Sequence, residues 1–115
     1  MATLNEIKQR YLKDPLPTRL GGLAANLARI NSFSRHEANR DAVFGLMDES
    51  KHFIEWTAPE AELEVAGQLV ELQVQLAHWQ HNLTTIWTDT EERERIAQQS
   101  RQWSDKVLEL SGLLD

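Results

Sequence analysis

The sequence predicts an all-α protein, an up-and-down four-helix bundle with one short additional helix at its N-terminus. Three observations carry that expectation. Helix-start motifs recur at helix-length intervals, apolar residues repeat in steps of three and four, and no stretch shows the β-branched alternation between turn residues that marks a strand. With 115 residues, 41% of them hydrophobic and 26% charged, the chain can bury one core and has an ordinary soluble composition. One domain over 1–115 is expected, residues 1–14 supplying the leading helix and 15–115 the four long ones.

The leading helix is expected near 4–13. Thr3-Leu-Asn-Glu6 fits a capping box: the hydroxyl accepts from the backbone N–H three residues on, and the Glu reaches back to the N–H of the cap. Asp14-Pro15-Leu16-Pro17 ends it, because proline lacks the N–H and restricts the residue before it. The first long helix, 16–32, aligns Leu16, Leu20, Leu23, Leu27 and Ile30 on one face. Gly21 and Gly22 interrupt it beside Ala24, Ala25 and Ala28, at about 1 kcal/mol per glycine relative to alanine. Close approach of a neighbouring helix would offset that cost. A phosphate loop would need a preceding strand and a following Gly-Lys-Ser/Thr, and the sequence has neither.

The remaining helices are expected at 35–56, 58–87 and 89–113, opened by Ser34-Arg-His-Glu37, Thr57-Ala-Pro-Glu60 and Thr88-Asp-Thr-Glu91. Pro59 falls in a first turn, where its missing N–H is harmless. Their seams are Val43, Leu46, Met47, Phe53 and Ile54; then Val65, Leu69, Leu72, Leu76, Trp79, Leu83 and Ile86; then Ile96, Trp103, Val107, Leu110 and Leu114. Short loops make successive helices antiparallel neighbours. Trp79, Trp87 and Trp103 are expected in the core, each indole N–H needing a partner.

Composition narrows function. The absence of cysteine removes disulfides, thiolate metal sites and a thiol nucleophile. The polar start MATLNEIKQRYLK has no apolar leader core and no segment runs 18 apolar residues, so a cytoplasmic protein without a membrane partner is expected. The net charge of −6 is uneven: residues 1–51 hold 8 Lys/Arg against 6 Asp/Glu, and 52–115 hold 4 against 12. An acidic half repels phosphate backbones, and the basic residues are scattered, so nucleic acid is not expected as a partner.

Four histidines raise a metal site, since bundles hold metals with His-x-x-His and Glu-x-x-His pairs on facing helices. His78 and His81 form one such pair, and Glu49 with His52 another. At ~100° per residue both lie away from their helix seams, and His78 shares a solvated strip with Glu71, Gln75 and Asn82, so His78 and His81 are at most weak metal candidates. No metal or cofactor is assigned. His36 is expected at a core edge, neutral beside a helix N-terminus. No core-facing carboxylate pair and no partnered base appear, which leaves no catalytic residue to assign.

The unusual helix is the third long one. Besides its seam it carries a second stripe, Ala66, Val70, Val74, Ala77 and His81, leaving Glu64, Gln68, Glu71, Gln75, His78 and Asn82 as a narrow polar wedge. Either two neighbours cover both faces within the chain, or the second stripe meets another protein or a second copy. Phe44 and Trp56 sit off the core face of the preceding helix and are candidate anchors for the same purpose, provided no helix or loop covers them. The function expected is a non-enzymatic interaction or regulatory module using Phe44, Trp56, Val70, Val74, Ala77 and His81. The alternatives are a small-molecule or metal site lined by His36, Trp79 or Trp103, and a non-catalytic subunit of a separate enzyme.

Overall fold

The computed structural model describes residues 2–114, and within them every regular element is helical. Five α-helices follow in order: α1 Leu4–Leu12, α2 Leu16–Phe33, α3 Arg40–Thr57, α4 Leu63–Ile86 and α5 Thr90–Ser111. Single 3-10 turns, Glu37–Asn39 and Ala58–Glu60, precede α3 and α4.

The core forms where the predicted seams meet. Leu20, Leu23, Leu27 and Ile30 of α2 pack with Val43, Met47 and Ile54 of α3, with Leu69, Leu72, Leu76 and Leu83 of α4, and with Ile96 and Val107 of α5. The most extensive helix pair is α2 with α5, followed by α2 with α3 and α3 with α4. Small residues make the α2–α5 contact close: Ala24, Ala97, Ser100 and Ser104 are buried along it. The Ser104 hydroxyl donates to the Ala24 carbonyl at 2.7 Å, and Asn31 Nδ2 donates to the Ala97 carbonyl at 2.6 Å. Gly21 belongs to the same pairing, since a β-carbon there would come within 2.8 Å of the Leu113 side chain. Although α4 and α5 are consecutive and joined by a short turn, they meet only lightly.

Several helix starts differ from the sequence expectation. Thr3 does cap α1, accepting from the Glu6 N–H at 3.2 Å. Ser34, in contrast, lies at the end of α2 with its hydroxyl buried and unpartnered, and α3 begins at Arg40 after the chain has reversed through an extended His36. Thr57 is the last residue of α3, in helical conformation with its hydroxyl donating to Tyr11 Oη at 3.3 Å, and the Glu60 carboxylate accepts from Arg19, so the box expected at 57–60 does not form; α4 begins at Leu63. Asp89 and not Thr88 caps α5, its carboxylate accepting from the N–H groups of Glu91 and Glu92. At the far end, Gly112 adopts φ 75°, a left-handed conformation suited to glycine at a helix C-terminus. Leu114, placed on the α5 seam by its spacing, lies beyond that glycine and is exposed.

Tyr11 is the buried residue of the leading helix, and Ile7 and Leu12, partly buried, pack against the core beside it. Tyr11 stacks on Phe53 with ring centroids 4.0 Å apart, and its hydroxyl donates to the Arg19 carbonyl at 2.8 Å. Burial pushes its phenol up to about 12.

Candidate interaction surface

The outer face of α4 carries a row of uncovered apolar side chains. While Leu69, Leu72, Leu76 and Leu83 point into the core, Val70 is 49% and Val74 66% exposed, and Ala77 and His81 are exposed beside them. Leu63, at 90% exposure, and Gly67 extend the same line toward the N-terminus. The spacing Leu63, Gly67, Val70, Val74, Ala77, His81 alternates steps of four and three, which keeps all six on one side of a helix. Nothing approaches within 4 Å of the position a Gly67 β-carbon would take. Ala66, the first residue of the stripe as read from the sequence, is half-buried at its edge.

On α3, Phe44 is 47% exposed, and its backbone carbonyl accepts from Nε2 of Gln80, the residue before His81 on α4, at 3.3 Å. Trp56 is not an exposed anchor. It is buried with Tyr11 and Phe53, 6.0 and 6.1 Å from their ring centroids, and His52 stacks on it at 5.6 Å. The expectation of an outward Trp56 failed because α1 folds over that part of α3. Leu63 lies within the helix expected at 58–87 and seven residues before Val70, so helical spacing alone places it on the stripe, although the stripe as read from the sequence begins at Ala66.

The polar wedge of α4 borders a different feature. Where α4 and α5 diverge, a cleft of about 480 Å³ opens between Gln75, His78 and Asn82 on one side and Glu92, Arg95 and Gln99 on the other, with Trp79 and Ile96 below. A second cleft of about 300 Å³ continues it past Gln75 and Gln99 to Trp103 and Lys106. Trp103 is therefore half-buried at a cleft wall, with the Lys106 ammonium 5.6 Å from its ring centroid. Trp79 and Trp87 are buried as expected, and Trp87 Nε1 donates to the Glu37 carbonyl at 2.6 Å. Arg93 closes the α4–α5 turn, donating to the Trp87 carbonyl at 2.7 Å with its guanidinium 5.8 Å from the Trp87 ring centroid.

The histidines are dispersed. His78 and His81 are both exposed on α4, and His36 is exposed in the α2–α3 connection, not at the core edge its helical position suggested, because no helix forms there. His52 stands 3.7 Å from the Asp48 carboxylate and 3.5 Å from that of Glu55, while Glu49 accepts from Asn26 Nδ2 at 3.0 Å and so belongs to a separate network. Among the described residues, no three His, Asp or Glu side chains converge in a metal-holding group. No described helix is long and apolar enough to cross a membrane.

No family model matches the chain, and neither a curated protein nor a solved structure is significantly similar to it. The functional reading therefore rests on the surface itself.

Proposed function

We propose that this chain is a non-enzymatic interaction module, a four-helix bundle with a leading helix that works in the cytoplasm by presenting the outer face of α4 to another protein helix. The supporting observation is the run of exposed Leu63, Val70, Val74 and Ala77, together with exposed Phe44 on α3. Uncovered aliphatic rows of this length are uncommon on isolated chains and mark contact surfaces. A helix laid along them would be read through anchors at i, i+3, i+4 and i+7. The test is affinity capture from the native cell with wild-type and Val74→Glu baits. Proteins retained by the first and lost by the second, at equal bait stability, support the reading; an unchanged set of captured proteins overturns it.

A second reading is favoured by the α4–α5 cleft, which sets Trp79 and Trp103 beside carboxamides within a volume suited to a small molecule. His36 lies outside it. A thermal-shift screen against metabolites and metal ions tests this reading. Specific stabilisation that is lost in Gln75→Ala and Gln99→Ala supports it, and no stabilisation by any compound overturns it.

A further inference from the structure

Resting on the reading that the α4 face docks a helix, we propose that its occupant is a second copy of this chain, laid antiparallel with the two-fold axis level with Leu72. The steps of four and three from Leu63 to His81 are those of a two-helix seam, and here the seam lies on the outside of a helix whose other seam is already buried. A two-fold level with residue 72 sets Val70 against Val74 of the second copy, Gly67 against Ala77, and Leu63 against His81. The small residues at 67 and 77 then flank the valines symmetrically and allow the backbones to approach.

Charge selects the direction. From Leu63 to Ile86, α4 contains no Lys or Arg; its acidic residues, Glu64 and Glu71, are in the first half and its histidines, 78 and 81, in the second. Glu62 precedes the helix on the same acidic side. A parallel pair would stack acidic half on acidic half. The antiparallel pair brings Glu64 alongside the imidazole N–H donors of His78 and His81 of the second copy, and it opposes the helix dipoles. Glu71, exposed and near the axis, is the one like-charge pair this arrangement creates. Phe44 fits the same register: with its backbone carbonyl bonded to Gln80, it comes level with the exposed Leu63 of the second copy.

A seam of this length, ~27 Å at 1.5 Å per residue, buries less than the ~1,200 Å² typical of stable complexes, so the dimer should be concentration-dependent. Sedimentation equilibrium of the full chain should show reversible dimers, weakened several-fold by Glu64→Gln and strengthened by Glu71→Gln. Because the chain has no cysteine, Val70→Cys and Val74→Cys report direction by mild oxidation, one of the two proteins carrying an affinity tag. The antiparallel register requires the mixed disulfide to exceed both homodimeric ones. Dimers giving mainly homodimeric disulfides overturn the register and leave the docking face standing. A monomer at all concentrations, with capture still sensitive to Val74→Glu, overturns the second copy alone; a monomer with insensitive capture overturns both proposals.

Discussion

Arg19 at the start of α2 and Glu60 in the turn before α4 form an ion pair at 2.7 Å across 41 residues of chain. The guanidinium is nearly buried and also donates through Nε to the Asp14 carbonyl at 2.8 Å, so one side chain joins the α1–α2 bend to the α3–α4 turn. Glu60 therefore serves Arg19 and not a capping box, and α4 begins at Leu63, five residues beyond the position its local motif indicates.

The pair gives stability a defined pH dependence. Hydrogen bonding and charge from Arg19 hold the Glu60 carboxyl below its ordinary value of 4.5. The contribution of a depressed carboxylate is present above the unfolded value and is lost as pH falls through the folded one. Denaturation midpoints should therefore fall in acid more steeply for wild type than for Glu60→Gln. Arg19→Ala, which also removes the Asp14 bond, should cost about 2 kcal/mol in denaturant titrations at neutral pH.

Tyr11, the single tyrosine, offers a clean spectroscopic test. Burial raises its phenol to about 12. Its stabilising contribution is thus complete below the unfolded value of 10.0 and is lost as pH rises through about 12. Tyrosinate absorbance should appear only in strong alkali, with unfolding. Tyr11→Phe leaves the Thr57 hydroxyl without its partner and should cost about 1–2 kcal/mol, less when combined with Thr57→Val.

The cap of α5 falls on Asp89 and not on Thr88, where the sequence motif places it. Asp89→Ala should destabilise by about 1 kcal/mol, having lost the acceptor for the Glu91 and Glu92 N–H groups. Thr88→Ala, on an exposed side chain that caps nothing, should stay within about 0.5 kcal/mol. Urea midpoints with unchanged slopes provide the measurement.

The two faces of α4 should respond oppositely to truncation. Leu76→Ala empties a fully buried position and should cost about 2–5 kcal/mol. Val74→Ala, on the outer stripe, should change the stability of dilute protein by less than about 0.5 kcal/mol while reducing whatever association that face supports. Comparison of denaturation at low and high protein concentration distinguishes the two effects.

Much of the candidate face is legible in the sequence. Val70, Val74 and Ala77 were separable from the Leu69, Leu72, Leu76 seam by helical spacing, since ~100° per residue fixes which side chains share a side. Whether a face is covered depends on neighbours, and there the spacing was silent. Trp56 and Phe44 occupy comparable off-seam positions on α3, yet α1 buries one and leaves the other open. The α4–α5 cleft was invisible for the same reason: a short turn brings two helix ends together but does not fix how far the helices diverge.

By itself the sequence determined that the chain is helical, roughly where its five α-helices lie and which residues line the core, because hydrophobic period and proline placement act within a few residues. Only the tertiary structure decided which caps are used, how α2 and α5 pair, and which apolar side chains reach the surface. Those outcomes follow from competition among residues far apart in sequence. Glu60 serves Arg19, Thr57 serves Tyr11, and Leu113 shelters Gly21 only once the helices have packed.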